Sequence, residues 1–314
     1  MDKIEDSTYK TDGIDIKRTI IIYDSIEYFV PFFKKKGLLT FPLYKKLSST
    51  ALRFIRKIFM TLNLPEGFWY GEWKKKIKSA NTIIIFSSKY AKVFPYIKKH
   101  HPNIRVILWY WNPVFRSLDP NLIDDSLAEK WSFDKMDCAK FNLNYNTTFY
   151  LDNIELPVSK CSSDLFFLGA DKGRRSGLDK VKQQLIDLGL LPNFYIVDDK
   201  PGKNSKYPPV SYSIYLKMLS ESKVIFDYVQ QGQSGLTLRA MESIFFKKKL
   251  VTNNMSIQYF DFYNKDNIFL WGKDDINDLK EFIEAPYNTI DDKLKRHYDV
   301  INWIKRFDSR IAAI

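Results

Sequence analysis

Val224-Ile225-Phe226-Asp227-Tyr228-Val229-Gln230-Gln231-Gly232-Gln233-Ser234-Gly235-Leu236-Thr237 passes from an apolar run into a polar, glycine-bearing loop. Leu238-Arg239-Ala240-Met241-Glu242-Ser243-Ile244-Phe245-Phe246 follows with helical character, and Leu250-Val251-Thr252 closes the segment. Short continuous runs of Ile, Val and Phe, without polar alternation, mark strands covered on both faces, as in a parallel sheet wrapped by helices. Strand, glycine loop, helix, strand is the alternation of a doubly wound α/β domain.

Upstream the pattern repeats. Leu165-Phe166-Phe167-Leu168 reads as a strand ending at Gly169. Ser176 is placed to cap a helix whose Leu178, Val181, Leu185 and Leu188 share one face, with Gly189 and Pro192 stopping it. A strand at Phe194-Tyr195-Ile196-Val197, a polar loop reaching residue 210 and a helix over 212–221 complete this half. The first half offers strands at Thr19–Tyr23, Thr82–Phe86 and Val106–Trp109, with helical segments over 43–60, 68–79 and 89–100. Residues 127–152, rich in Asn, Tyr and Phe, read as its last strands and loops. Leu294, Tyr298, Ile301 and Ile304 predict a helix over 291–307. The expectation is two Rossmann-like doubly wound domains: 1–156, then 164–290, with 291–314 returning to pack on the first. Pro157, Ser159, Ser162 and Ser163 interrupt the pattern at the junction.

Composition narrows the class. Of 314 residues, 45% are hydrophobic and 27% charged, which excludes a disordered chain. The longest apolar runs fall well short of the roughly 18 residues a membrane-spanning helix needs. Met1-Asp2-Lys3-Ile4-Glu5-Asp6 is acidic and polar, unlike a secretory leader. Two cysteines, Cys138 and Cys161, fit a reduced, cytoplasmic setting better than a disulfide framework. The three histidines, His100, His101 and His297, form no metal-ligand motif, and no tightly bound metal is expected. The net charge of +12 favours polyanionic partners: nucleic acid, anionic lipid or phosphorylated small molecules.

In open parallel sheets, ligands bind outside the carboxyl ends of the strands. Two loops qualify. Gly169-Ala170-Asp171-Lys172-Gly173-Arg174-Arg175 joins flexible backbone to three cations; a phosphate seat and a solvated basic loop are equally good readings of it. In the second loop, Ser234, Gly235, Leu236 and Thr237 stand at a helix N-terminus with free amides, and Arg239 and Glu242 lie three residues apart on one face. A diphosphate and a ribose fit such an arrangement.

The run from Ser234 to Asn253, with Gly235, Leu238, Glu242 and Lys248-Lys249-Leu250-Val251-Thr252-Asn253, resembles the donor-site segment of GT-B glycosyltransferases. The resemblance implies that Glu242 binds ribose hydroxyls and that Gly235, Leu236 and Thr237 bind phosphates. Ser234 stands where retaining members carry a further glutamate. With Ile22-Tyr23-Asp24-Ser25 and Trp109-Tyr110-Trp111-Asn112-Pro113, the pattern further resembles bacterial lipopolysaccharide-core and capsule glycosyltransferases, the enterobacterial core rhamnosyltransferase group above all. Transfer of a sugar, rhamnose by this likeness, from a nucleotide-sugar donor to a lipopolysaccharide-core or other cell-surface glycan is what it implies, with the donor as substrate and no separate cofactor.

Such transfer needs a base for the acceptor hydroxyl and positive charge for the departing diphosphate. Asp24, at the end of the first strand, is the candidate base, level with a reading as a turn cap; Asp134 and Glu72 are weaker candidates. Lys172, Arg174 and Arg175 form one cationic group, of which one or two should touch phosphate. Trp109, Tyr110, Trp111 and Asn112 offer an acceptor platform, with core packing expected for two of the three rings. His100 and His101 close a helix beside Pro102. Asp198 and Asp199 either border the base pocket or start a loop. Phe32-Phe33-Lys34-Lys35-Lys36, the segment from Tyr44 to Phe59, and Trp73-Lys74-Lys75-Lys76 make a basic, partly apolar patch. It reads either as an interfacial helix touching an anionic membrane or as a solvated helix packed on the sheet. A nucleic-acid-binding protein is a lesser alternative, lacking any helix-turn-helix, zinc-finger or Arg-Gly signature, and an inactive scaffold of glycosyltransferase ancestry is another. No nucleic-acid partner is expected.

Overall fold

A computed structural model describes residues 13–24, 27–62, 64–88, 90–199, 205–230 and 232–308. The readings made at Met1–Asp6, Ser25 and Gln231, and in parts of the 198–210 loop and the 291–314 segment, lie outside the described residues. By contacts the chain divides into two compact units, one running to Trp131 and regaining the chain at Ile304, the other spanning Ser132–Trp303.

The first unit is built on β1 (Thr19–Tyr23), β2 (Leu39–Pro42), β3 (Thr82–Phe86), β4 (Arg105–Tyr110) and β5 (Glu129–Ser132), the last holding the point of division. With β6 (Asn144–Tyr145) the strand order is β2-β1-β3-β4-β5-β6, and β2, β1, β3 and β4 run parallel. Ile20–Ile22 and Ile83–Ile85 are wholly enclosed, as unbroken β-branched runs predict for a two-sided sheet. Connecting helices are α1 (Val30–Lys35), α2 (Thr50–Thr61), α3 (Trp73–Lys76) and α4 (Val93–His100). The helix expected over 43–60 starts only at Thr50, where the Ser49 hydroxyl accepts from Leu52 N at 3.4 Å; Tyr44 is instead bridged to Tyr70. The segment expected to be helical over 68–79 is a single turn, α3, continued by a 3-10 turn.

The second unit contains α5 (Lys135–Phe141), β7 (Ser163–Ala170), α6 (Arg175–Asp187), β8 (Pro192–Val197), α7 (Tyr212–Ser220), β9 (Ser222–Asp227), α8 (Leu238–Phe246), β10 (Lys249–Thr252), β11 (Ile268–Leu270), α9 (Leu279–Glu284), α10 (Asp292–His297) and α11 (Val300–Lys305). Its five strands are all parallel, ordered β11-β10-β9-β7-β8. Leu178, Val181 and Leu185 of α6 pack against Leu165, Phe167 and Phe226, with Leu188 at the edge. This is the apolar face read from their spacing.

Several expectations are corrected. Ser176 does not cap α6: the helix begins at Arg175, whose amide is taken at 3.0 Å by the Asp171 carboxylate. By contacts, residues after β5 up to Trp303 join the second unit. There, Tyr150 exchanges backbone bonds with Tyr298 and Val300 at 2.8 and 3.0 Å. That strand-like pairing also breaks the expected 291–307 helix into α10 and α11. Only the end of the segment belongs to the first unit. Phe307 meets the Trp109 and Trp131 rings, and Asp308 pairs with Arg105 at 2.5 Å. Among the described residues no helix is long and apolar enough to cross a membrane.

Candidate functional site

At the carboxyl ends of β7, β9 and β10 the second unit opens a cavity of about 490 Å³, walled by Arg174, Gly177, Tyr228, Gln230, Gln233 and Asn253 among others. Its place is where loops and helix N-termini converge in parallel α/β sheets, and its size suits a small ligand. The β7–α6 turn is made by Lys172 and Gly173, both with left-handed backbone (φ 50° and 77°). Gly177 admits the opposite loop, since a Cβ there would lie 2.8 Å from the Tyr228 hydroxyl. Asn253, just past β10, pins that loop: its side-chain oxygen accepts from Val229 N at 2.7 Å, and its amide donates to Val229 O at 3.4 Å. The Arg174 guanidinium lies over the Phe167 ring and donates to the Ala170 carbonyl at 2.6 Å and to the Tyr228 carbonyl.

The start of α8 serves a different purpose from the one its sequence suggested. Thr237 caps the helix, accepting from Ala240 N at 3.2 Å and donating to Asp227 at 2.9 Å. Leu236 is buried. The amides of Ser234 and Gly235 donate to the Asp134 carboxylate at 2.8 and 2.9 Å, and the Ser234 hydroxyl adds a 2.7 Å bond. The anion at these amides is therefore the chain's own. Asp134 is wholly buried and also caps α5.

Glu242 is likewise corrected. Six consecutive residues of α8, from Ala240 to Phe245, are buried, so this helix has no solvent face at Glu242. The carboxylate, 0% exposed, accepts from the Tyr212 hydroxyl at 2.9 Å and from the Tyr215 hydroxyl. Burial pushes its pKa up to about 7, against the lowering effect of the two tyrosines and Arg239. Arg239 pairs with Asp227 at 3.1 Å and lies 4.7 Å over the Phe167 ring, donating also to the Leu168 carbonyl. Gly169 makes room for these guanidiniums rather than for a phosphate: a Cβ there would collide with Arg239 and come within 3.3 Å of Arg174.

Arg175 is held by Asp171 at 3.1 Å and Asp198 at 2.6 Å, and Asp198 also accepts from Ser205. Asp199 accepts from Lys172 N at 2.9 Å. These acids order the loop and do not line the cavity. Of the residues expected to hold the donor, Arg174 is on the cavity wall. Tyr228, Gln230, Gln233 and Asn253, in or beside the quoted loop, line the cavity without having been singled out for it; their signal was position after a parallel strand.

The first unit has its own cavity, about 340 Å³, at the carboxyl ends of β1, β3 and β4. Asp24, Ser87, Tyr90, Trp111, Asn112 and Arg116 border it. Desolvation raises the Asp24 pKa and the Arg56 charge opposes that rise. Trp111 stands edge-on to Phe29 and Phe86, both with centroids at 5.6 Å. Trp109 is removed from the acceptor platform: it is buried against Phe307, and Tyr110 is buried with its hydroxyl donating to Leu118 O at 2.9 Å. Glu72, the other weaker base candidate, is an exposed partner of Lys75 at 2.6 Å. Among the described residues no group of three His, Cys, Asp or Glu side chains gathers as a metal site.

No family model matches the sequence, and no curated protein does. Chains of solved structures do match, and one is the crystal structure of a glycosyltransferase from Rickettsia africae ESF-5. It is 10% identical, with 92% of this chain and 88% of that chain covered and a TM-score of 0.40. At that distance the likeness carries no argument about the reaction.

Proposed function

We propose that this protein is a glycosyltransferase of the GT-B kind, taking a nucleotide-diphosphate sugar in the 490 Å³ cavity and a glycan acceptor in the 340 Å³ cavity. The observation that carries the reading is that each parallel sheet ends in a polar cavity with complementary equipment. One has a guanidinium and three side-chain amides, the other a carboxylate beside an indole. Arg174, with Lys172 in the same turn, supplies positive charge to the leaving diphosphate. Gln230, Gln233 and Asn253 offer hydrogen bonds to nucleoside and sugar hydroxyls. Asp24 accepts the proton of the acceptor hydroxyl as that oxygen attacks the anomeric carbon and the diphosphate departs, and its raised pKa strengthens it as a base. A lipopolysaccharide-core acceptor and rhamnose as the sugar rest on the sequence resemblance.

A thermal-shift panel of UDP, GDP, CMP, ADP and dTDP tests the proposal, since a ligand bound only by the folded state raises its melting temperature. One nucleotide should stabilise selectively, and Asn253→Ala should reduce that shift. Absence of any nucleotide effect removes the reading. A second reading, a nucleotide-binding scaffold of the same ancestry, is favoured by the enclosure of Glu242 and the occupation of the α8 amides by Asp134. It predicts the same stabilisation with no sugar transferred.

A further inference from the structure

A helix on the surface of a folded domain ordinarily turns its apolar stripe toward the core. α2 does the reverse. None of its residues is buried, and Phe54, Ile55 and Ile58 are 64%, 41% and 38% exposed, with Leu62 just beyond the helix at 63%. It is held to the protein along another side, through Phe59 against the Trp69 ring at 5.5 Å and through Arg56, which donates to the Lys45 carbonyl at 3.1 Å and lies over Tyr44. Phe68, 69% exposed, extends the apolar surface, and the Lys45 ammonium sits 4.6 Å over its ring.

Along the chain, the charge of this segment has one sign, while Glu72 and Asp24 act from outside it on Lys45 and Arg56. Between Tyr44 and Leu62 the chain carries Lys45, Lys46, Arg53, Arg56 and Lys57 and no carboxylate. We propose that α2 and Phe68 dock the protein on an anionic lipid bilayer, with the apolar side chains entering the headgroup boundary and the cations meeting lipid phosphates. A uniformly anionic plane matches a helix whose own charges, Arg53, Arg56 and Lys57, are all cationic. A second copy of the chain would set these same cations against one another across a two-fold contact. Nucleic acid would leave the aliphatic stripe without a partner. The inference stands on α2 alone and is independent of the donor-site reading.

Co-sedimentation of the full chain with vesicles tests it. Binding is expected to vesicles of equal parts phosphatidylcholine and phosphatidylglycerol, not to phosphatidylcholine alone, and should weaken as salt is added. Phe54→Ser with Ile58→Ser should abolish binding, and Arg53→Gln with Lys57→Gln should weaken it about thirtyfold. Both double variants alter exposed side chains, so thermal midpoints should match the parent and exclude misfolding as the cause. Failure to bind the mixed vesicles, equal binding to both vesicle types, or unchanged binding by the double variants overturns the proposal. A dimer in light scattering that Phe54→Ser with Ile58→Ser dissolves, without vesicle binding, assigns the face to a second copy instead.

Discussion

Replacing Glu242 by glutamine should make the protein more stable at pH 8 and change it much less at pH 5. The carboxyl ionises at about 7 in the folded chain against 4.5 in the unfolded one, the dominant cause being burial. A raised folded-state pKa means that the native protein holds a proton the unfolded chain releases. Stability from this group is therefore complete below about pH 4.5 and falls as pH rises through about 7, where the loss levels off. The span corresponds to about 3 kcal/mol. In Glu242→Gln the side-chain oxygen can accept from one tyrosine hydroxyl while the amide donates to the other, and the Tyr150–Tyr212 hydroxyl pair, 2.6 Å apart, can reorient to suit. Denaturant unfolding of both proteins from pH 5 to pH 8 isolates the group, because every other titration cancels in the difference. Glu242→Gln should gain up to about 3 kcal/mol relative to the parent across that range. A variant less stable than the parent at pH 8 would mean that the ionised carboxylate holds the tyrosines more strongly than burial penalises it, and the reasoning would fail.

Gly235→Ala drives a Cβ into the Phe133 ring and to 2.9 Å from its carbonyl oxygen; calorimetry should show a loss of about 1–3 kcal/mol, and an unchanged melting temperature would disprove the packing. Thr237→Val removes both the α8 cap and a hydroxyl donor to buried Asp227, costing about 1–2 kcal/mol in chemical denaturation, with Thr237→Ser recovering most of it. Asp24→Asn should lower sugar transfer about a hundredfold or more while the nucleotide-dependent thermal shift persists; transfer at the parent rate would rule Asp24 out as base.

What the sequence disclosed follows from how local its physics is. Thr-Ile-Ile-Ile before an aromatic residue, twice, has few homes other than a strand covered on both sides, and β1 and β3 fall on those residues. β2 escaped notice because Leu-Thr-Phe-Pro is short and ends in proline, a residue that only a sheet edge tolerates. β11 has three residues and is recognisable only by its register beside β10. The division at Trp131 has no compositional mark, whereas the Pro and Ser residues near 157–163 imitate a linker. The two cavity-lining loops were visible as the ends of parallel strands. The identity of their partners was not: Asp134 lies 100 residues before Ser234, and Tyr212 lies 30 before Glu242.

That long-range partnership bears on where a phosphate can sit. Two amides of the loop before α8 point at a buried carboxylate that also accepts from Met136 N and the Ser234 hydroxyl. A diphosphate could take those amides only by displacing Asp134 and leaving a buried charge without its donors, a cost of several kcal/mol. Arg239 is committed in the same way to Asp227, which is 1% exposed. The loop amides before α8 and the Arg239 guanidinium are thus engaged in joining α5, β9 and α8. One strand across the sheet, after β7, Gly173 and Arg174 face the open cavity instead. If the cavity takes the proposed nucleotide, its anion meets the turn before α6 rather than α8, and Arg174→Ala should lower nucleotide affinity more than Thr237→Ser does.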